Sequence, residues 1–184
     1  MAVLPDHWIK KASEEHDMIV PFAAGRVRKG RISFGASCYG YDFRLSDEYR
    51  IPDFGGCKGF DPKRMSTVEF RSYRGRYCVI PPNSFVLGRS LEYFRIPRDV
   101  LVICLGKSTY ARCGVIVNVT PLEPEWEGFI TISLANASPV PVKVYSGEGI
   151  AQAVFVRAEE SCTTSYADRK GKYQAQKEIQ TSKV

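Results

Sequence analysis

The chain has 184 residues, 44% of them hydrophobic, which is enough to bury one substantial core and calls for no second domain. A formal net charge of +6 favours a polyanionic partner, whether nucleic acid, an anionic membrane surface or a triphosphate. No basic run reaches five residues, no apolar stretch approaches a bilayer span and no secretory signal is evident, so the expectation is a cytoplasmic protein that binds neither nucleic acid nor membrane.

Pro5-Asp6 supplies a capping residue, and Ile9, Ala12 and His16 recur at helical spacing, which predicts one amphipathic helix ending at Met18. From Ile19 to Arg50 short apolar segments are broken by Gly25, Gly30, Gly35 and Gly40, as in strands joined by turns, and SCYGYDFRL reads as one strand. Residues 51–67 lack periodicity and read as a surface loop or extended arm. Buried strands are predicted at 77–80, 85–87, 100–105, 115–119, 129–132, 140–145 and 150–156. The polar tail from Arg157 to Val184 is either disordered or ordered by a partner. So many short strands predict a mainly β fold, a distorted jelly-roll or β-barrel with a short N-terminal helix, in one domain spanning 1–184.

Six cysteines, Cys38, Cys57, Cys78, Cys104, Cys113 and Cys162, sit singly without a C-x-x-C pair, which reads as reduced thiols rather than structural zinc. Three stretches carry chemistry. Gly106 through Arg112 (GKSTYAR) offers a glycine turn, two hydroxyls and two cations within seven residues, suited to phosphate or equally to a capped surface helix. It is not a Walker A loop, because Leu101 stands where that loop needs glycine. In PLEPEWEGFITISLAN (121–136), strand alternation puts Thr131, Ser133 and Ala135 on one semipolar face and Ile130, Ile132 and Leu134 on the other; that face lines a pocket or meets solvent. Tyr166, Arg169, Lys170, Lys172, Tyr173, Gln174 and Gln176 interleave rings with cations and amides, a composition for a nucleotide-covering lid or for a plain disordered tail.

In order and spacing, GKSTYARCGVIVNVTPLEPEWEGF, EGIAQ (148–152) and SYADRKGKYQAQ (165–176) resemble the bacterial dCTP deaminases of the dCTP deaminase and dUTPase superfamily. Trp8 in the first helix, SCYGYDFRL and PPNSFVLGRSLEYFRIPRDV (81–100) extend the resemblance over nearly the whole chain. The resemblance implies a homotrimer of dUTPase-like subunits with sites between neighbours, dCTP as substrate carried with Mg²⁺, and dTTP as an inhibitor. It assigns substrate contact to Lys107, Ser108, Thr109, Tyr110, Ala111 and Arg112, and base reading to Thr131, Ile132 and Ser133. Sugar and triphosphate contacts fall to Gln152, Tyr166, Lys172 and Gln176, with 157–184 as a lid. Ser108, Arg112 and Ser133 become the candidate catalytic residues. No zinc is implied, and the zinc-deaminase signature H-x-E…P-C-x-x-C is absent.

One position departs from the family pattern: Ser133 stands where the resemblance implies a catalytic glutamate. A serine hydroxyl orients water but does not hold a negative charge near neutral pH. Three readings stay open: a dCTP deaminase, or deaminase of a modified cytosine, producing the uracil nucleotide and ammonia; an inactive dNTP binder acting as regulator or sink; and a dNTP pyrophosphatase.

Overall fold

Pro5 is extended (φ −81°, ψ 170°), and its carbonyl accepts the N–H groups of Trp8 and Ile9, so the first helix, α1 (Asp6–His16), starts one residue after a fixed proline φ. Asp6 is therefore the first helical residue and not the cap; its carboxylate accepts the His7 N–H at 2.8 Å. The helix stops at Asp17, which turns left-handed (φ 52°). Ile9 and Ala12 face the core, while His16 is exposed. The computed structural model of the chain describes residues 2–55, 59–63 and 68–183.

The remaining elements are strands, apart from one short helix. They are β1 (Ala2–Val3), β2 (Ile19–Val20), β3 (Gly35–Ser37), β4 (Gly40–Pro52), β5 (Phe70–Arg74), β6 (Tyr77–Ile80), β7 (Ser84–Arg95) and β8 (Val100–Gly106). After helix α2 (Ser108–Ala111) come β9 (Val115–Asn118), β10 (Glu127–Asn136), β11 (Val142–Tyr145) and β12 (Gly149–Arg157). The main sheet runs β1-β12-β4-β7-β10-β9, with β2 on β7, β3 and β5 on β4, and β8 on β12; β6 and β11 form a separate pair. The sheet is antiparallel throughout and curls as a half-barrel, so the fold is mainly β, as the strand spacing predicts.

Three departures from the sequence reading have physical causes. SCYGYDFRL is a hairpin and not one strand: Ser37 pairs with Gly40 around a turn at Cys38-Tyr39. Strand β7 runs to Arg95, well past the apolar Phe85-Val86-Leu87. Its inward face is Val86, Gly88, Ser90, Glu92 and Phe94, so a buried polar series hides the alternation. The segment 51–67 begins inside β4, and Phe54, Phe60 and Phe85 then make successive ring contacts; residues 56–58 and 64–67 lie outside the described residues.

Glu92 is the costliest member of that series, being fully buried. Arg44 donates to it twice, from Nε at 2.6 Å and from its backbone N–H at 2.9 Å, and Tyr41 donates its hydroxyl at 3.3 Å. Burial pushes the Glu92 carboxyl up, and Arg44 opposes the shift. Next to it, Ser90 Oγ donates to the Glu92 carbonyl and accepts the Ile130 N–H, which fastens β10 where the β7–β10 register shifts between Phe129 and Thr131. Arg44→Met should leave an unpaired carboxylate in the core and cost about 3–5 kcal/mol of stability in urea titrations. Because an unpaired Glu92 escapes its penalty by binding a proton, the loss should be larger at pH 8 than at pH 5.

Candidate functional site

Strand β10 is hydrogen-bonded on both edges, to β7 and to β9, so its two faces have separate fates. Ile130, Ile132 and Leu134 are in the core, and Thr131, Ser133 and Ala135 alternate outward as half-buried residues. Thr131 and Ser133, with Leu87 of β7, form the floor of a cavity of about 470 Å³. The connection from β9, Asn118 through Glu123, forms one wall with Trp126. The tail closes the other side with Tyr166, Lys172, Tyr173 and Gln176.

The tail is ordered by its own chain. Gln176 lies parallel to Gly128, with Phe129 N–H donating to the Gln176 carbonyl at 3.0 Å and Ala175 N–H to the Glu127 carbonyl at 2.9 Å. Gly128 has φ 145°, and a side chain there would meet Gln176 at 3.0 Å, so this seat requires glycine. Trp126 Nε1 donates to the Tyr173 carbonyl at 3.0 Å, and Tyr166 N–H to the Pro124 carbonyl at 3.0 Å. Arg98 bridges the two layers, reaching Glu125 at 2.6 Å and Asp168 at 2.8 Å.

Inside the cavity Thr131 Oγ1 accepts from Gln176 Nε2 at 3.2 Å and from the Gln180 N–H at 3.1 Å. Ser133 Oγ has no hydrogen-bond partner among the described residues, so its hydroxyl is available to a ligand or water. Among the described lining residues the one carboxylate is Glu123, which is ion-paired with Arg169. Tyr166 accepts the Tyr173 N–H on its hydroxyl at 3.0 Å, and Lys172 stands 5.3 Å from the Tyr173 ring centre.

The other predicted residues lie elsewhere. None of Lys107, Ser108, Thr109, Tyr110, Ala111, Arg112 or Gln152 lines this cavity. Lys107 is nearly buried, its ammonium 2.7 Å from Asp42 and 3.3 Å from Ser33 Oγ. Ser108, Thr109, Ala111 and Arg112 are exposed on and beside α2, and Arg112 donates to the Ser108 carbonyl at 3.0 Å. Gln152 Nε2 donates to Ser37 Oγ at 3.0 Å. Two of the assigned side chains are in the core: Ile132 is fully buried, and Tyr110 accepts the Tyr145 N–H on its hydroxyl, burial pushing its phenol up to about 12. Trp126, Asn118 and Gln180 are lining residues that the sequence reading did not assign. Trp126 had a visible signal, an aromatic flanked by glutamates; Gln180 had none.

The sequence profile of a family described as dCTP deaminase-like matches residues 3–158. The chain belongs to the dCTP deaminase-like family. Proteins named dCTP deaminase from Granulibacter bethesdensis (54% identical, 97% of both chains) and Cupriavidus metallidurans (53% identical, 100% of both) are similar along their whole length. The dCTP deaminase of Francisella tularensis subsp. novicida is 53% identical over 96% of both chains. In three dimensions the chain shares its fold with the crystal structure of 2'-deoxycytidine 5'-triphosphate deaminase from Agrobacterium tumefaciens, with a TM-score of 0.64 at 14% identity. That match covers 85% of this chain and 48% of the other, which is about twice as long as the matched part. The family profile ends just after β12, so Tyr166, Lys172 and Gln176 are placed by the tail's own contacts.

The Ser165 N–H accepted by the Asp168 carboxylate, together with Arg98, holds the Asp168 pKa below its ordinary value. The contribution of this anchor is therefore complete above the ordinary Asp pKa of about 3.9 and is lost as pH falls through the depressed folded-state value. Asp168→Asn should speed amide exchange over 165–176 at pH 7 while leaving β10 protected, and hydrogen-exchange mass spectrometry reads both regions in one experiment.

Proposed function

We propose that the chain binds dCTP in the Thr131–Ser133 cavity and deaminates it hydrolytically to dUTP and ammonia without zinc. The observation that carries this reading is one cavity of nucleotide size in which an unpartnered Ser133 hydroxyl, Thr131 and Trp126 face tail residues Tyr166, Lys172 and Gln176, in a chain more than half identical to full-length proteins named dCTP deaminase. Trp126 and the floor residues suit a pyrimidine, while Lys172 and Tyr166 suit its sugar and phosphates.

The cation-bearing segment Lys107–Arg112 and Gln152 do not line their own chain's cavity, which supports a homotrimer in which one copy presents them to the nucleotide in the next. Ser108 and Arg112 then face the active-site water and the phosphates, and dTTP, sharing the triphosphate, competes for the same place. Mg²⁺ would ride on the triphosphate and neutralise part of its charge; among the described residues no cluster of three or more His, Cys, Asp or Glu is placed to cage a metal. That arrangement fits a metal held by phosphate oxygens, with Lys107 and Arg112 meeting the oxygens left free.

In the reaction, water oxygen bonds to C4 of cytosine, one water proton passes to the exocyclic nitrogen, the bond from C4 to that nitrogen breaks and ammonia leaves, and the other water proton ends on N3 of the uracil ring. Ser133 orients the water; it is not a base at neutral pH, and Glu123 is already ion-paired. Turnover is therefore expected to be slow compared with a site holding a carboxylate at this position. The absence of that carboxylate is also what favours the second reading, a dNTP-binding regulator or sink.

Incubation with Mg²⁺ and dCTP, 5-substituted dCTP, dUTP or dTTP, followed by ammonia and pyrophosphate assays, separates the readings. Ammonia from a cytosine nucleotide is expected; pyrophosphate instead would make the protein a pyrophosphatase, and tight binding with neither product would leave a binder. Ser133→Glu should raise ammonia release from dCTP by roughly 10²–10⁴-fold, the usual worth of a general base. No gain in a folded, dCTP-binding variant would count against the deaminase reading.

A further inference from the structure

Lys107 is not alone at Asp42. The carboxylate oxygen Oδ2 that takes Lys107 Nζ at 2.7 Å also takes Arg26 Nη2 at 3.3 Å, and Ser33 Oγ accepts from both cations at 3.3 Å. The Asp42 and Lys107 side chains are almost wholly buried, at 3% and 9% exposure, whereas Arg26 keeps 40%. Two cations thus share one carboxylate, which leaves a unit of positive charge at the solvent-facing end of the cluster, on Arg26. Glu148, whose carboxylate accepts the Ile32 N–H at 2.7 Å, forms no ion pair with either cation.

Arg26 is held there by the backbone. Its segment is pinned on one side by the Val27–Phe34 bridge and on the other by the Ala36 N–H donating to the Ala23 carbonyl at 3.0 Å. Gly35 (φ 102°) lets the Gly25 carbonyl approach to where a Cβ would stand 2.2 Å away, so the loop lies directly on β3. A positioned, solvent-accessible guanidinium that shares its carboxylate with a second cation keeps its fork available to meet phosphate oxygens in bidentate fashion.

We propose that Arg26 is a further triphosphate-binding residue, acting beside Lys107 on the terminal phosphates of the nucleotide. The inference rests on the dCTP-binding reading above. The ammonium of Lys107 is compensated by Asp42; the guanidinium of Arg26 supplies the charge that remains for the ligand.

Calorimetric titration of dCTP, dCDP and dCMP with Mg²⁺ into the wild type, Arg26→Ala and Arg26→Lys tests it. Arg26→Ala should weaken dCTP about tenfold or more, the worth of a charge-assisted hydrogen bond, and leave dCMP unchanged. Arg26→Lys, which restores charge but not the fork, should recover part of the loss, and circular dichroism melts establish that both variants fold. A loss equal for dCTP and dCMP, or no loss, overturns the proposal while the dCTP-binding reading stands. A wild type that binds none of the three nucleotides removes that reading and this inference with it.

Discussion

The strict alternation of β10 decides what the cavity floor is made of. The strand is bonded along both edges, so it cannot rotate, and Ile130, Ile132 and Leu134 are committed to the core at 2%, 0% and 0% exposure. Thr131 and Ser133 face the cavity because their neighbours are buried. A slip of one residue would bury two hydroxyls and expose three aliphatic side chains, an exchange costing several kcal/mol in lost burial alone. The polar pins at either end support the same register: Ser90 catches Ile130 at the irregularity near the start, and Asn136 donates to the carbonyls of Ile80, Pro81 and Val140 at the end.

Electrostatics are distributed by the same economy of burial. The net charge of +6 is not a diffuse surface property. Many arginines are committed inside the chain: Arg44 to Glu92, Arg98 to Glu125 and Asp168, Arg89 to Glu48, Arg157 to Asp99. Pairing of this kind stiffens the strand and tail layers and removes those cations from ligand binding. At Asp42 the count is uneven, with two cations to one carboxylate, and positive charge is left over on the exposed Arg26.

Ser133 sits between these two themes. Its position is dictated by strand geometry, and its chemistry by the side chain that occupies it. Membership of the dCTP deaminase-like family follows from features spread over residues 3–158, whereas the cavity floor presents a single unpartnered hydroxyl, Ser133, among the described residues. A scaffold of this type can keep binding while its catalytic power changes by orders of magnitude, because binding is shared by many contacts and proton transfer is not.

Local pattern was enough for β6, β8, β9 and β12, where apolar runs are short and bounded by turn residues, and for the placement of Thr131 and Ser133 opposite Ile132, where a period of two is unambiguous. It was not enough for β7, whose buried face carries Gly88, Ser90 and Glu92, because burial of a carboxylate depends on an arginine 48 residues earlier. Nor did it show the tail's seat on Gly128, or the sharing of Asp42 by Arg26 and Lys107, which are separated by 81 positions in the chain. By itself the sequence determined the short apolar strands, the alternation of β10 and the chemical types at the site. Tertiary structure alone decided which of those groups meet, since ion pairing and strand docking join residues that no local window contains.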